Sequence, residues 1–255
     1  LAFTKKIENF HFKILYSEAF RTPAIENINL AANNPDNPDG KITPEKSRVG
    51  ELELGYQFTP DMLLSLNAFS INTNKVIIYH YDPVEDIDWY DNFKKTGSSG
   101  IEAIYSLQQK RWNTRLTYTY TASQKTDSST YYVPQTKSSY LGFPKHKFML
   151  VSSFDLTKKL SLNPTLIASG KRYAYTELDV DENPVSTELA GYALLNLFLN
   201  YSDLAPGLNV GIGIYDLLDE RPGIPQPYNG GYLPIPGRSR EFVVKLSYQF
   251  NFKEQ

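Results

Sequence analysis

Residues 238–252 read RSREFVVKLSYQFNF, a run in which apolar and polar side chains alternate. Successive side chains of a β-strand point to opposite faces, so the run predicts a strand with one apolar and one nearly polar face. The apolar face would carry Phe242, Val244, Leu246, Tyr248, Phe250 and Phe252. Its aromatic end suits the interface between a membrane and water. The segment therefore predicts a strand that crosses a membrane.

Similar alternation recurs along the whole chain, in about ten segments whose lengths are near those that membrane-crossing strands need. The predicted strands are residues 10–20, 47–58, 62–79, 97–107, 112–122, 145–156, 160–173, 192–201, 208–215 and 238–252. In the third strand the alternation slips near Phe69 and Ile71. Such a slip predicts a β-bulge at that point.

The connections between these strands alternate between long and short. The long ones are residues 21–46, 79–91, 123–143, a stretch that ends at 191, and 216–237. This rhythm is typical of an outer-membrane barrel, with long extracellular loops and short periplasmic turns. The sequence therefore predicts an all-β fold, a transmembrane antiparallel up-and-down β-barrel. An even strand count would place both ends of the segment on the periplasmic side.

Composition excludes several other classes of protein. The chain has no apolar run of about 18 residues, so no spanning helix is expected, while its mean hydropathy of −0.41 is compatible with a barrel. The net charge of −2 and the lack of a basic tract argue against nucleic-acid binding. With no cysteine, disulfides and thiolate sites are excluded. No signal-peptide pattern follows Leu1, which suggests a processed chain or a fragment.

Five short motifs resemble, in order, those of the TonB-dependent outer-membrane receptors. They are YSEAFRTP at 16–23, PE at 44–45 with ELG at 53–55, Asn92 with GIE at 100–102, DLLDE at 216–220, and PGR at 236–238. Asp216 stands where that family usually has Asn, and Lys253, Glu254 and Gln255 extend beyond the terminal aromatic residue.

The resemblance implies a receptor with an N-terminal plug, a TonB box and a barrel of about 22 strands. Residues 1–255 would then be the C-terminal half of the barrel, without the plug and the N-terminal strands. The implied function is import of a scarce nutrient, such as an iron–siderophore complex, across the outer membrane of a Gram-negative-type bacterium. Its partners would be the TonB complex, acting through the missing plug, the large nutrient and outer-membrane lipid. No cofactor is implied.

Two groups of side chains are candidates for ligand contact. Aromatic residues in the long loops could stack on a bulky ligand: Tyr79, Tyr81, Trp89, Tyr90, Tyr173, Tyr175, Tyr228 and Tyr232. Polar residues facing the lumen could line a transport path: Glu51, Glu53, Glu102 and Arg115. The alternative interpretation is that about half of the first group packs in loops and interfaces, while the second group faces a hydrated lumen and contacts the plug.

Metal and catalytic sites find little support. Two acidic clusters, Asp82, Glu85, Asp86 and Asp88, and Asp179, Asp181 and Glu182, match no EF-hand spacing and favour solvated loops. The three histidines are dispersed and predict no zinc site. For an enzyme, His80 with Asp82 or Asp88 is the one candidate, and no G-x-S-x-G motif accompanies it. We therefore expect no enzymatic activity. The alternative functions are a self-contained ten-stranded pore or adhesin and, less favoured, a soluble β-sheet binding protein.

Overall fold

A computed structural model describes residues 1–82, 84–124, 133, 136, 138–180, 184–226 and 233–250 of the chain. These residues form one short helix, α1 (Ile25–Ala31), and fifteen strands. The strands are β1 (Ala2–Ile7), β2 (Phe10–Arg21), β3 (Glu45–Thr59), β4 (Met62–Asp82), β5 (Ile87–Gln108), β6 (Trp112–Ser123), β7 (His146–Asp155), β8 (Leu160–Ser169), β9 (Arg172–Leu178), β10 (Pro184–Leu189), β11 (Tyr192–Ala205), β12 (Leu208–Tyr215), β13 (Gly223–Ile224), β14 (Ile235–Pro236) and β15 (Glu241–Tyr248). Among the described residues, no helix has the length and hydropathy needed to cross a membrane.

Eleven strands form one antiparallel sheet, in the order β1-β2-β3-β4-β5-β6-β7-β8-β11-β12-β15. Each strand pairs with the one before it, apart from two small sheets, β9 with β10 and β13 with β14, that lie within long connections. The prediction of an all-β, up-and-down antiparallel fold is confirmed. Within the described residues, β1 and β15 each pair along one edge only, so they form the two edges of the sheet.

The strand count differs from the prediction because β1 was missed. Its sequence, AFTKKI, is short, and the two adjacent lysines interrupt the alternation. It pairs with β2 across the tight turn at Glu8, which adopts a left-handed backbone with a φ of 51°. Eleven strands replace ten, so the expectation of an even count was wrong.

Several boundaries also differ. Strand β4 continues to Asp82, and β5 already begins at Ile87. Most of the predicted loop at 79–91 is therefore a hairpin that projects beyond the end of β3. Strand β8 ends at Ser169, and the following connection contains the β9–β10 hairpin. The last strand ends at Tyr248 rather than at residue 252, and residues 251–255 lie outside the described part.

The predicted bulge near Phe69 and Ile71 is wrong, because β4 keeps a continuous register with both neighbours there. Phe69 occupies the polar face because Gly100 lies opposite, where an added Cβ would come 2.6 Å from the ring. The face of β4 changes instead at Lys75, whose φ of 54° is left-handed. Beyond Lys75, Val76 and Thr96 line one cavity, so the even-numbered residues of this part of β4 lie on the polar face of the sheet.

The two faces of the main sheet differ in chemistry. Large apolar side chains of one face are solvent-exposed, as in Leu54, Ile212 and Phe242 at 52%, 55% and 74%. The opposite face carries a polar row across eight strands, formed by the register partners Lys13, Glu53, Asn67, Glu102, Thr119, Lys147, Ser169 and Tyr192. We call the face that carries this polar row the inner face, and the apolar one the outer face. An exposed apolar face of this extent is typical of a surface that meets lipid or protein.

Three of the sequence motifs meet at the base of the long β4–β5 hairpin. Arg21 donates to Glu45 Oε2 over 2.8 Å, and the same carboxylate oxygen accepts the N–H of Ile77 at 3.2 Å. Asn92 Oδ1 accepts the N–H of Thr43 at 2.6 Å, while its amide donates to the carbonyls of Thr43 and Lys75. These motif residues therefore fix the long connection 22–44 against the hairpin.

The last two motifs are also joined. Asp219 accepts two hydrogen bonds from Arg221 and one from the backbone N–H of Arg240, at 3.0 to 3.1 Å. Gly237 donates its N–H to the carbonyl of Pro222. The DLLDE and PGR segments thus tie the last long connection to the start of β15.

Candidate functional site

A cavity of about 340 Å³ lies between the inner face and segment 138–145, at the end of the sheet where the long connections lie. Strands β6, β7, β8 and β11 supply one wall, because the register partners Thr119, Lys147, Ser169 and Tyr192 all point to the inner face. Segment 138–145 supplies the other wall. We call this the polar cavity.

Arg172, the first residue of β9, is the most enclosed cation of the polar cavity, with 7% of its surface exposed. Its guanidinium lies 4.9 Å from the centroid of the Tyr192 ring, a cation–π distance. One terminal nitrogen donates to the carbonyl of Gly223 at 3.0 Å. Its Nε is buried, and no acceptor within the described residues reaches it. A buried donor without an acceptor carries a free-energy cost of about 1–3 kcal/mol.

Two lysines add to this positive charge. Lys145 donates from Nζ to the hydroxyl of Ser138 at 2.5 Å, and Lys147 lies exposed on the inner face. None of the described residues that line the polar cavity is acidic. Hydroxyl groups of Thr119, Thr121 and other lining residues accompany the three cations. The arrangement therefore suits an anionic group that accepts several hydrogen bonds.

Tyr140 fixes segment 138–145 to the wall. Its hydroxyl donates to the carbonyl of Gly97 at 2.5 Å and accepts the N–H of the same residue at 3.0 Å. The hydroxyl of Thr96 is a third partner at 2.8 Å. On the other side, Gly142 donates its N–H to the carbonyl of Tyr173 at 2.7 Å. The segment is thus held between β5 and β9.

A second cavity, of about 280 Å³, lies on the other side of this segment. Its lining is almost entirely apolar and consists of Val76, Ile78, Phe93, Thr96, Tyr140, Leu141 and Phe143. Ile78 and Leu141 are buried, whereas Phe143 is 70% exposed. Tyr140 and Phe143 line both cavities. We call this the apolar cavity.

Four of the predicted aromatic residues lie on the β4–β5 hairpin, not in a loop, and they do not form one cluster. Tyr79 and Tyr90 face each other with ring centroids 5.3 Å apart. Trp89 stacks on His80 at 5.4 Å. Since consecutive residues of a strand point to opposite sides, these two pairs lie on opposite faces. Tyr81 donates its hydroxyl to Asp86 at 2.9 Å.

These contacts shift the pKa values of three hairpin side chains. Burial against Trp89 lowers the pKa of His80, and the carboxylate of Asp91 partly offsets the effect. Burial, followed by the charge of Asp88, raises the pKa of Tyr79, while the hydrogen bond to Asp86 raises that of Tyr81. His80 therefore stays neutral to a lower pH than an exposed histidine.

The other predicted aromatic residues lie apart from these pairs. Tyr173 and Tyr175 are on β9, where Tyr173 donates its hydroxyl to Glu188 at 3.3 Å. They flank Ala174 and follow Arg172 in the strand. Arg172 lines the polar cavity, whereas neither tyrosine is among its described lining residues. Tyr228 and Tyr232 lie outside the described residues.

The structure places the four predicted lumen residues on the inner face. Glu53 lies 3.0 Å from His11 Nε2, and Glu102 accepts a hydrogen bond from Thr119 at 3.3 Å. Glu51 accepts one from Asn67 at 3.5 Å. Arg115 lies nearer the short turns, opposite Ser106 and Val151.

The acidic residues at the hairpin tip serve its turn. Asp82 accepts the N–H groups of Val84 and Glu85 at 2.8 and 3.3 Å. In the part of the chain that the structure describes, no three acidic or histidine side chains come together as metal ligands would. Asp181 and Glu182 of the second acidic cluster lie outside that part.

Lys145, Lys147 and Arg172 were not among the residues predicted from the sequence. A weak signal existed, since Lys145 and Lys147 are two positions apart and so share a face of a strand. Arg172 carries no such signal, because it lies in the β9–β10 hairpin, outside the main sheet, and reaches the polar cavity only through tertiary contacts. Its approach to Tyr192, twenty positions along, is a tertiary contact.

The chain matches a known protein family. A family model described as "TonB dependent receptor-like, beta-barrel" matches residues 4–217. The fold resembles the ferric-catecholate import receptor Fiu of E. coli K12, with a TM-score of 0.71, 21% identity, and coverage of 96% of this chain and 33% of that one. The ferric enterobactin receptor of Pseudomonas aeruginosa has a TM-score of 0.72 and 20% identity, with coverage of 96% of this chain and 38% of that one.

A third solved structure, the FrpB iron transporter of Neisseria meningitidis, has a TM-score of 0.70, 13% identity, and coverage of 98% and 39%. The chain therefore spans between about a third and two fifths of these solved structures. A search of curated proteins gives no match. At these identities, the solved structures establish the likeness of the fold.

Proposed function

Because this chain belongs to the TonB-dependent receptors, whose barrel model matches residues 4–217, we propose that it forms the C-terminal part of a receptor that imports a scarce nutrient, such as an iron–siderophore complex. Members of this family are outer-membrane β-barrel proteins of Gram-negative bacteria, and they are transporters rather than enzymes. The apolar outer face of the sheet accordingly contacts outer-membrane lipid.

The observation that carries the proposal is the position of the polar cavity. It opens on the inner face at the long-connection end, which is the extracellular end of such a barrel. Three cations and several hydroxyl groups line it, as capture of a large anionic chelate requires. Glu51, Glu53, Glu102 and Arg115 then line the hydrated path below it. The aromatic residues of the hairpins, together with Tyr228 and Tyr232, would contact the outer part of the nutrient.

The names of the similar proteins favour iron as the cargo, since they are an import receptor for ferric catecholate, a receptor for ferric enterobactin and an iron transporter. In the proposed mechanism the extracellular loops capture the chelate, and the TonB complex then rearranges the plug. The chemistry is one of binding and release, with no covalent step.

The test is nutrient uptake by the native bacterium. Deletion of the gene that encodes the full-length receptor should abolish uptake of at least one ⁵⁵Fe-labelled chelate, and deletion of the TonB gene should abolish the same uptake. Complementation with the intact receptor serves as the control. Unchanged uptake of every large chelate tested, in both deletion strains, would contradict the proposal.

The proposed division of the receptor has its own test. The two sheet edges, β1 and β15, have further hydrogen-bonding capacity, and the chain spans about a third of similar receptors, so additional strands and a plug would complete the barrel. The mass of the native polypeptide, purified from outer membranes, should lie well above 29.0 kDa. A mass near that value would favour a self-contained pore or adhesin.

A further inference from the structure

The polar and apolar cavities share a wall, and they differ sharply in chemistry. We infer that they bind the two parts of one ligand, an anionic group joined directly to a flat apolar ring system. This inference rests on the proposed function, since it specifies the class of molecule that the same site takes.

The anionic half follows from Arg172. Its side chain is more than nine-tenths buried and lines the polar cavity, and its Nε has no acceptor within the described residues. A ligand oxygen at this nitrogen would supply the missing hydrogen bond and would neutralise an enclosed cation. Lys145 and Lys147 bring two more positive charges to the same space, and the described lining contains no carboxylate that could serve instead.

The flat apolar half follows from the walls of the second cavity. Phe93, Tyr140 and Phe143 supply aromatic rings, and Ile78 and Leu141 supply buried aliphatic surface. A volume of about 280 Å³ is close to the lower end of the usual range for small-molecule sites. Ring faces favour a planar partner, because offset stacking adds to the burial of apolar area.

The direct link between the two halves follows from the shared wall. Tyr140 lines both cavities, and its three hydrogen bonds to Thr96 and Gly97 hold it in place. A ligand that fills both cavities would therefore contact Tyr140 and Phe143, the two side chains that line both. Joining the two halves makes the second contact intramolecular, so the joined ligand should bind far more tightly than either half.

The experiment uses the full-length receptor in detergent and naphthalene-2-sulfonate as the probe. Equilibrium dialysis against a detergent-only blank gives its affinity. Methanesulfonate carries the charge without the rings, and 2-naphthalenemethanol carries the rings without the charge. We expect the probe to bind at least about tenfold more tightly than either of these two compounds.

Variants assign the binding to the two cavities. Arg172→Gln should weaken binding of the probe by about tenfold or more and leave binding of 2-naphthalenemethanol unchanged. Phe143→Ala, at an exposed ring, should weaken both naphthalene compounds. The matched controls are Lys171→Gln, at the adjacent cation that pairs with Glu188 outside the cavity, and Phe242→Ala on the outer face. Both controls should retain the wild-type affinity.

Folding is checked by the heat-dependent gel shift of each variant. If Arg172→Gln does not fold, the exposed Lys147→Gln takes its place, with a smaller loss expected. Wild-type affinity in whichever folded cation variant is measured would overturn the inference. So would equal affinity of the wild type for naphthalene-2-sulfonate and 2-naphthalenemethanol. TonB-dependent iron uptake that persists alongside either result would refute the ligand class and leave the proposed function standing.

Discussion

The ring of Phe198 on β11 lies over Gly213 on β12, where an added Cβ would come 2.3 Å from the ring. Gly211, two positions earlier on the same strand, would place a Cβ 2.7 Å from the same ring. The inner face thus accommodates a large aromatic side chain because the neighbouring strand has none at these positions. Phe69 over Gly100 and His11 over Gly55 show the same relationship.

We therefore predict that Gly213→Ala destabilises the barrel. The Cβ would displace a ring that is held in the sheet, and overpacking of this kind costs about 1–3 kcal/mol. The temperature at which the purified full-length receptor loses its heat-dependent gel shift should fall. Gly50→Ala in β3 is the matched control, since an added Cβ there meets nothing within 4 Å. Equal transition temperatures for the two variants would contradict this account.

The faces of the strands were predictable from the sequence, whereas the site was not. A two-residue period fixes the face of each side chain once a strand is recognised, so Glu53 and Phe242 could be assigned to opposite faces from their neighbours alone. The change of face at Lys75 could not be placed, because it depends on a left-handed backbone at a residue that rarely adopts one.

The polar cavity lay beyond such reasoning for a different reason. Its residues come from β6, β7, β8, β9, β11 and segment 138–145, and they meet only because the connections fold back over the inner face. A connection has no period that reveals which of its residues point inward. Tyr140 is an example, since its position depends on hydrogen bonds to Thr96 and Gly97, more than forty residues earlier in the chain.

Removal of the Tyr140 hydroxyl should release segment 138–145. Tyr140→Phe keeps the ring but loses all three hydrogen bonds to Thr96 and Gly97, each worth about 0.5–1.5 kcal/mol. We expect faster tryptic cleavage after Lys145, measured on the full-length receptor by mass spectrometry. Tyr201→Phe, on the outer face, should cleave at the wild-type rate. An unchanged rate in Tyr140→Phe would mean that other contacts hold the segment.

The stacked pair of His80 and Trp89 predicts a pH response of the long hairpin. Burial lowers the pKa of His80 in the folded state, so the unfolded hairpin takes up a proton first as the pH falls. The contribution of the neutral imidazole is therefore complete above the usual histidine pKa and is lost as the pH falls below it. Protonated histidine quenches a neighbouring tryptophan, which gives a local signal.

The signal is the difference in fluorescence between the wild-type receptor and Trp89→Phe. Its midpoint should lie below the pH at which an exposed histidine titrates, and His80→Gln should abolish it. A midpoint at or above that of an exposed histidine would show that the charge of Asp91 outweighs burial.

At Asp216, in contrast to Gly213, we predict that a substitution stabilises the protein. Its carboxylate is buried, and neither oxygen meets a hydrogen-bond donor among the described residues. Its φ of 48° is left-handed, a conformation that Asn adopts readily. Asp216→Asn removes a buried charge and keeps the shape of the side chain. The expected gain in the free energy of unfolding is about 1–3 kcal/mol, seen as a higher temperature for loss of the heat-dependent gel shift.

The matched variant Asp219→Asn should lower that temperature, because its carboxylate accepts three hydrogen bonds from Arg221 and Arg240. A lower temperature in both variants would indicate that the Asp216 carboxylate has a partner that contributes to stability.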